Sequence, residues 1–236
     1  MTERVRYALR DGIGWIDLDD GKANALSPAM QSDIDEALDR ALEDDAPVVI
    51  RGRDGVFSGG FDMGVLTGGG QASIDMVLGG FRLAARILGH PRPVVVACTG
   101  HAMAMGLFLV LAGDHRIGID RPAKLAANEV AIGLTLPRTA TEMLRQRLTP
   151  AAFPRAAMLS ETFDPPAAVA AGILDEIVPA DAFEARVHEV ATGLLALDVD
   201  AQKATKQRVR EPLLEVIEAA IAQDQAEQDL LLAAAG

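Results

Sequence analysis

The 236-residue chain contains one cysteine, Cys98, and few aromatic side chains. A single cysteine excludes a disulfide framework, and we expect a reduced, cytoplasmic compartment. Cys98 follows an apolar stretch and is interpreted as a buried small side chain, with a reactive thiol as the alternative. Because aromatic residues make up only 4% of the chain, we expect a core built from Ala, Leu, Val, Ile and Met.

Basic residues are also scarce, since 22 Lys and Arg against 34 Asp and Glu give a formal net charge of −12. Overall repulsion therefore disfavours nucleic acid as a partner, and an anionic ligand would need locally placed Lys or Arg. The longest apolar run, 107–112, is far too short to span a bilayer. The N-terminal residues alternate in character and do not resemble a signal segment. We expect no membrane partner.

The first part of the chain follows a strand–strand–helix order. Alternating apolar and polar residues at 5–10 and 13–18, separated by Asp11-Gly12, predict a hairpin. Ser27 followed by Pro28 predicts a helix start, with apolar residues at helical spacing to Asp44. Further helices are predicted at 74–88, 139–148, 150–159 and 165–171, and further strands at 47–52, 93–98, 114–119 and 174–178, with 124–127 extended.

From residue 181 the pattern is helical, with breaks predicted near 197–200 and at Pro212. We therefore divide the chain into a core with the active site, residues 1–180, and a C-terminal helical oligomerisation region, residues 181–236.

The apolar strand at 93–98 is followed by a small-residue turn at 101–106 and then by an apolar helix that ends near Gly113. In this arrangement the free backbone N–H groups at the start of the helix point outward. Such a helix start favours negative charge developing on oxygen.

Four segments, in this order, resemble motifs of one family. They are 22–27 (KANALS), 57–62 (FSGGFD), 98–106 (CTGHAMAMG) and 125–137 (LAANEVAIGLTLP). Together they resemble the crotonase, or enoyl-CoA hydratase/isomerase, superfamily, in its mycobacterial-type homologues. The resemblance implies an α/β fold, a spiral of ββα units with a C-terminal helical region. It also implies chemistry through a thioester enolate.

The resemblance assigns the oxyanion donors to the backbone amides of Phe61 and Met105. Met105 stands where most members have glycine, so its side chain must point away from the thioester. Glu129 matches a catalytic carboxylate, and its apolar surroundings should favour the neutral form and suit a proton shuttle. The alternative for Glu129 is a turn residue, solvated or paired with Arg138. The place of the hydratases' second glutamate is taken by Phe108.

One carboxylate suits moving a double bond, so the expected activity is an enoyl-CoA isomerase that converts 3-enoyl to 2-enoyl thioesters. An enoyl-CoA hydratase of fatty-acid β-oxidation is the alternative, and a non-catalytic acyl-CoA binder is the alternative from another class. No cofactor is expected, because coenzyme A is part of the substrate. No metal-ligand spacing is present.

The residues that the resemblance places against coenzyme A lie in the first two motifs or directly after the second. Lys22 is the basic residue expected near the phosphates, and Asp62 also reads as a loop-stabilising hydrogen-bond acceptor. Lys203, Lys206 and Arg210 share a helical face that could meet phosphates or be solvated. The assigned coenzyme A contacts are Lys22, Ala23, Ala25, Gly60, Asp62 and Met63.

The resemblance also implies a homotrimer or a hexamer. Apolar residues at helical spacing near the C-terminus are the sequence feature assigned to assembly. These residues are Leu213, Leu214, Ile217 and Ile221.

Overall fold

The computed structural model describes residues 4–235, and side chains as far as residue 232. The larger of its two sheets has six strands. The first two strands form the antiparallel hairpin predicted at 5–18, and the remaining neighbours are parallel. In spatial order the strands are β1 (Val5–Arg10), β2 (Ile13–Leu18), β3 (Val48–Arg51), β5 (Val94–Cys98), β7 (His115–Asp120) and β9 (Glu176–Pro179).

A second, smaller sheet holds three parallel strands: β4 (Gly55–Ser58), β6 (Gly100–Met103) and β8 (Leu125–Ala126). Each follows directly on a strand of the larger sheet, and each is followed by helix. One turn of the chain therefore contributes a strand to each sheet and then a helix. This is the predicted spiral of ββα units, and the fold class is confirmed. The strands of the larger sheet lie in chain order, unlike the reversed order of a dinucleotide-binding sheet.

The helices cover the spiral, and two of them begin or end at the capping signals predicted from the sequence. Ser27 accepts a hydrogen bond from the Met30 amide at 3.2 Å with Pro28 as the first helical residue, and Gly172, at φ +86°, ends the helix predicted at 165–171. The helices are α1 (Pro28–Glu43), α2 (Met63–Gly68), α3 (Gly70–Gly89), α4 (Met105–Ala112), α5 (Arg138–Arg147), α6 (Ala152–Leu159), α7 (Pro165–Ala171), α8 (Phe183–Leu194) and α9 (Val199–Ala235), with a short 3₁₀ helix at Val130–Ile132.

Two apolar clusters lie on opposite faces of the larger sheet. The larger cluster contains all of α4 except Gly106, together with the buried faces of α1, α3 and α5. The smaller cluster packs Phe183 and Val187 of α8 against Trp15 and Val95. Cys98 is buried in the first cluster, and burial raises the pKa of its thiol to about 12. The interpretation of Cys98 as a buried side chain is confirmed.

The predicted break at Pro212 is wrong, because α9 runs through it without interruption. A proline removes the hydrogen bond to the carbonyl four residues earlier. Pro212 and Arg208, which carries that carbonyl, are both exposed, so water can replace the missing N–H. The predicted turn at 101–106 is also too long, since residues 101–103 lie in strand β6 and residues 105–106 lie in helix α4. The helix predicted from residue 74 begins earlier, at Gly70.

The apolar stripe assigned to assembly packs within the chain itself. Ile217 and Ile221 are buried in the larger cluster, and Leu213 and Leu214 pack against it. This stripe therefore gives no support to an oligomer. No helix in the described residues is long and apolar enough to cross a membrane.

Candidate active site

The three segments that carry the predicted site follow the three strands of the smaller sheet. β4 leads into the loop at 59–62, β6 leads into Ala104 and α4, and β8 leads into 127–129. Parallel strands deliver their carboxyl ends to one edge, so all three segments leave the sheet on the same side. The Ala104 amide also donates to the Ala126 carbonyl at 2.8 Å, which ties the second segment to the third.

The 22–25 segment is held against the loop after β4 by Asn24. The Asn24 side-chain amide donates to the carbonyls of Leu18 and Phe57 at 2.9 and 3.0 Å. The Asn24 carbonyl accepts from the Ser58 hydroxyl at 2.8 Å. Asn24 is fully buried at φ +50°, a conformation that asparagine tolerates better than most residues. The sequence motif alone assigns no role to Asn24, although asparagine is enriched at positive φ.

Gly60 is the point at which the loop after β4 meets the turn after β6. It has φ +91°, and a β-carbon there would lie 2.8 Å from the Met103 carbonyl oxygen and 3.4 Å from the Met105 nitrogen. Because residue 60 is glycine, the backbone that precedes Phe61 can lie close to the Met105 amide. Within residues 4–235, no oxygen accepts a hydrogen bond from the amide of Phe61 or of Met105.

The turn before α4 is strained at Ala104, which has φ +46° and ψ −123°. A non-glycine residue in this region costs on the order of 1–3 kcal/mol and is typical of functional sites. Met105 is the first residue of α4, so its amide lies at the positive pole of that helix. Its side chain lies against Gly80 of α3, beside the ring of Phe61.

Glu129 lies just before the short 3₁₀ helix and is only 7% exposed. Its Oε2 atom has no hydrogen-bond partner within the described residues. Loss of hydration on burial raises the pKa of the carboxyl from 4.5 to about 7. The alternative of a solvated turn residue is therefore wrong. Pairing with Arg138 is also wrong, because Arg138 contacts Asp224 at 3.3 Å and Glu227.

Three aromatic rings form a continuous apolar contact between the loop and α4. The ring centroids of Phe61 and Phe81 are 6.4 Å apart, and those of Phe81 and Phe108 are 5.5 Å apart. Phe108 is completely buried. Phe108, which the resemblance aligns with the second acid of the hydratases, is therefore a buried hydrocarbon side chain packed against α3.

The residues assigned to coenzyme A differ in their contacts and in their exposure. The structure brings Ala23 and Gly60 together, because the Gly59 amide donates to the Ala23 carbonyl at 2.8 Å. Lys22 is exposed, and its carbonyl accepts from Arg53 Nε at 2.6 Å. The Ala25 amide donates to an Asp20 carboxylate oxygen at 3.2 Å.

Asp62 and Met63 begin helix α2. The Asp62 carboxylate accepts from the amides of Gly64 and Val65 at 2.8 and 3.1 Å. Asp62 therefore caps the helix, which agrees with its interpretation as a loop-stabilising acceptor. Met63 is 55% exposed, and its side chain is free to contact a ligand.

The three basic residues of α9 that were considered for phosphates form ion pairs within the chain. Lys206 and Arg210 are buried and both bind Asp114, while Lys203 lies 2.7 Å from Asp45. The hypothesis of a solvated basic face is therefore wrong, and these cations are already occupied. In residues 4–235 no group of three or more His, Cys, Asp or Glu side chains is arranged to hold a metal ion.

Known proteins resemble this chain in sequence and in fold. A family model described as enoyl-CoA hydratase/isomerase matches residues 9–234. A solved structure of a Mycobacterium tuberculosis enoyl-CoA isomerase is 46% identical, with a TM-score of 0.91 over 96% of this chain and 100% of that one. An enoyl-CoA hydratase/isomerase family protein from Pseudomonas syringae is 41% identical, with a TM-score of 0.94 over 96% and 99%. Mouse mitochondrial enoyl-CoA delta isomerase 1 is 27% identical over 205 residues, 84% of this chain and 71% of that protein.

Proposed function

Because the chain belongs to the enoyl-CoA hydratase/isomerase family, we propose that it is an enoyl-CoA isomerase that shifts the double bond of a 3-enoyl-CoA to position 2. One observation carries the proposal: Glu129 is a buried carboxyl whose pKa is raised to about 7 by loss of hydration, while the residue that the resemblance aligns with the second acid is the buried, apolar Phe108. The substrate carries coenzyme A itself, and the chemistry needs no further cofactor.

In the proposed reaction the Glu129 carboxylate removes a proton from C2. The electron pair of that C–H bond forms the C1–C2 double bond of an enolate, and the negative charge rests on the thioester oxygen. The amides of Phe61 and Met105 donate to this oxygen. Protonated Glu129 then returns the proton at C4, and the double bond ends between C2 and C3. A pKa near 7 lets the carboxyl serve as base and then as acid at neutral pH.

Phe108 is the residue that favours isomerisation over hydration. Addition of water to a 2-enoyl thioester needs one group to activate water and another to deliver a proton. A buried phenyl ring against Phe81 can do neither. Hydratase activity remains the alternative because the family description names both activities. A non-catalytic acyl-CoA binder is the alternative from another class, since the resemblance finds only one of the two acids of the hydratases.

Turnover separates these three functions. The unmodified protein is given a panel of 3-enoyl and 2-enoyl thioesters of several chain lengths, and products are separated by chromatography. We expect 3-enoyl-CoA to be converted to 2-enoyl-CoA faster than any 2-enoyl-CoA is hydrated. Faster hydration would contradict the one-carboxylate mechanism. Tight binding of thioesters without turnover would identify a binder.

We also propose a homotrimer or a dimer of trimers in the cytoplasm, with residues 1–180 as the catalytic core and 181–236 as the region of assembly. Exposed apolar side chains in the second region support an interface, since Leu230 and Leu231 are 73% and 58% exposed. Light scattering at micromolar concentration tests the assembly, and a monomeric mass would contradict it.

A further inference from the structure

Helix α4 provides the Met105 amide at one end and is held at the other end by Arg147 of α5. The carbonyls of a last helical turn have no partner within the helix. Arg147 Nε donates to the Leu111 carbonyl at 3.0 Å, and its Nη2 donates to the Gly113 carbonyl. Every residue of α4 is buried, and none has a polar side chain. The helix therefore depends on other elements to hold its ends.

Two more cations reach the same end of α4 through Asp114, which follows Gly113. Arg210 lies 2.7 Å from one Asp114 oxygen, and Lys206 binds the other. Burial and the nearby guanidinium groups of Arg116 and Arg210 lower the pKa of Arg147 to about 10. The negative pole of the helix dipole at the C-terminal end of α4 offsets part of this repulsion.

The opposite end of α4 is held by close backbone packing. The Ala104 amide donates to Ala126, and a β-carbon on Gly106 would lie 2.5 Å from the Ser58 carbonyl oxygen. An eight-residue helix is about 12 Å long. A shift at its C-terminal end is therefore carried directly to the amide of Met105.

We propose that Arg147 is a positioning residue for the reaction, which acts through α4 to hold the Met105 amide at the thioester oxygen. This inference rests on the proposed function, in which Met105 is an oxyanion donor. A guanidinium bound to two carbonyls fixes both the axial position and the rotation of the helix end. Arg147 itself does not contact the substrate.

The test compares Arg147→Gln with Arg145→Gln, an exposed arginine of the same helix that forms an ion pair with Glu142 and lies over the ring of Phe153, with no contact to the end of α4 among the described residues. Three quantities are measured for each folded variant: kcat, KM, and the infrared carbonyl band of bound hexanoyl-CoA labelled with ¹³C at the thioester carbon. This saturated thioester has no double bond to move. Its band falls in frequency when donors polarise the carbonyl, so it reports the oxyanion site without turnover.

For Arg147→Gln we expect kcat to fall about tenfold or more, as for a misplaced reacting group, while KM changes by less than about twofold. The carbonyl band should move back toward that of free hexanoyl-CoA. Arg145→Gln should leave all three quantities unchanged. A wild-type band in folded Arg147→Gln overturns the proposal, even if kcat falls, because a merely structural role would not move the band.

Arg147→Lys provides a second test if the glutamine variant does not fold. Lysine keeps the charge but lacks the planar group that bridges two carbonyls. We expect a band between those of the wild type and free hexanoyl-CoA, and a wild-type band with wild-type kcat overturns the proposal. If the wild type shows a shifted band but no isomerisation, the proposed function fails while the role of Arg147 is still decided by the band.

Discussion

Gly60 and Met103 approach so closely that a β-carbon on Gly60 would lie 2.8 Å from the Met103 carbonyl oxygen. The contact joins the carboxyl ends of β4 and β6, which carry the two proposed oxyanion donors. The spacing between the Phe61 and Met105 amides is therefore set by the absence of a side chain at residue 60. The positive φ of Gly60 adds a second reason for glycine at this position.

Gly60→Ala is expected to separate the two loops and strain the backbone. We expect the free energy of unfolding to fall by about 1–3 kcal/mol and kcat to fall more than KM changes. Urea unfolding and steady-state kinetics measure the two effects. Gly68→Ala is the matched control, because a β-carbon there meets no atom within 4 Å. Equal effects at the two positions would contradict this account.

Glu129→Gln keeps the size of the side chain but removes its ability to take a proton. We expect isomerisation to slow by on the order of 100-fold or more, with little change in substrate affinity because the oxyanion donors are backbone groups. Steady-state kinetics and equilibrium binding of a saturated acyl-CoA check the two parts. Glu142→Gln on α5 is the control for loss of a carboxylate elsewhere. Retention of wild-type turnover would show that another group moves the proton.

The raised pKa of Glu129 also makes stability depend on pH. The folded protein binds this proton more tightly than the unfolded chain, which titrates near 4.5 against about 7 when folded. The stability contributed by the neutral carboxyl is therefore complete below pH 4.5 and is lost as the pH rises through 7. Glutamine stays neutral, so Glu129→Gln should be more stable than the wild type by up to about 3 kcal/mol at pH 8.

Urea unfolding of both proteins at pH 8 and pH 4 measures this difference, which should be close to zero at the lower pH. A stabilisation of equal size at both pH values would mean that it arises from packing or hydrogen bonding rather than from ionisation.

Phe108→Glu restores an acid at the position of the missing carboxylate. We expect the ratio of hydration to isomerisation to rise by about tenfold or more, since general acid–base help is typically worth more than that. Stability should fall, because a carboxyl replaces a ring packed against Phe81. Phe108→Gln is the control, since it introduces similar length without an acid. An equal rise in both variants would show that polarity alone admits water.

Lys22→Ala is expected to weaken binding of coenzyme A, most clearly at low salt. An acidic protein needs a local cation for phosphate groups, and Lys22 is exposed beside Arg53. Calorimetry at low and high salt measures the affinity. Arg208→Ala removes the same charge from the exposed side of α9 and should have no effect. Unchanged affinity of Lys22→Ala at both salt concentrations would remove Lys22 from the binding site.

Local sequence patterns were sufficient to predict the strands of the larger sheet and most of the helices. The hairpin at 5–18, the capped start of α1 and the glycine end of α7 follow from alternation, Ser27-Pro28 and Gly172. Strands β4 and β6 were not predicted, because each has only four residues in a glycine-containing stretch. Such short strands form because they pair with strands that are distant in the sequence. A local sequence pattern holds no information about that pairing. The continuity of α9 through Pro212 likewise depends on packing against α3 and α5.

The order of motifs was sufficient to identify Phe61, Met105 and Glu129 as candidates. The sequence could not reveal the positive φ of Ala104 or the buried role of Asn24, because tertiary contacts impose both conformations. It also could not reveal that Lys206 and Arg210 are buried, since basic residues on one helical face are equally typical of a solvent-exposed surface.

The two-sheet spiral limits the places at which residues can be inserted into the chain. A residue inserted within β4, β6 or β8 would advance one of the three site segments by about 3.3 Å relative to the others. Insertions after α2 escape this constraint, because added β-carbons at Gly68, Gly69 and Gly70 would meet no atom within 4 Å. Natural length variants of this protein should therefore differ around residues 68–70 and keep the three short strands unaltered.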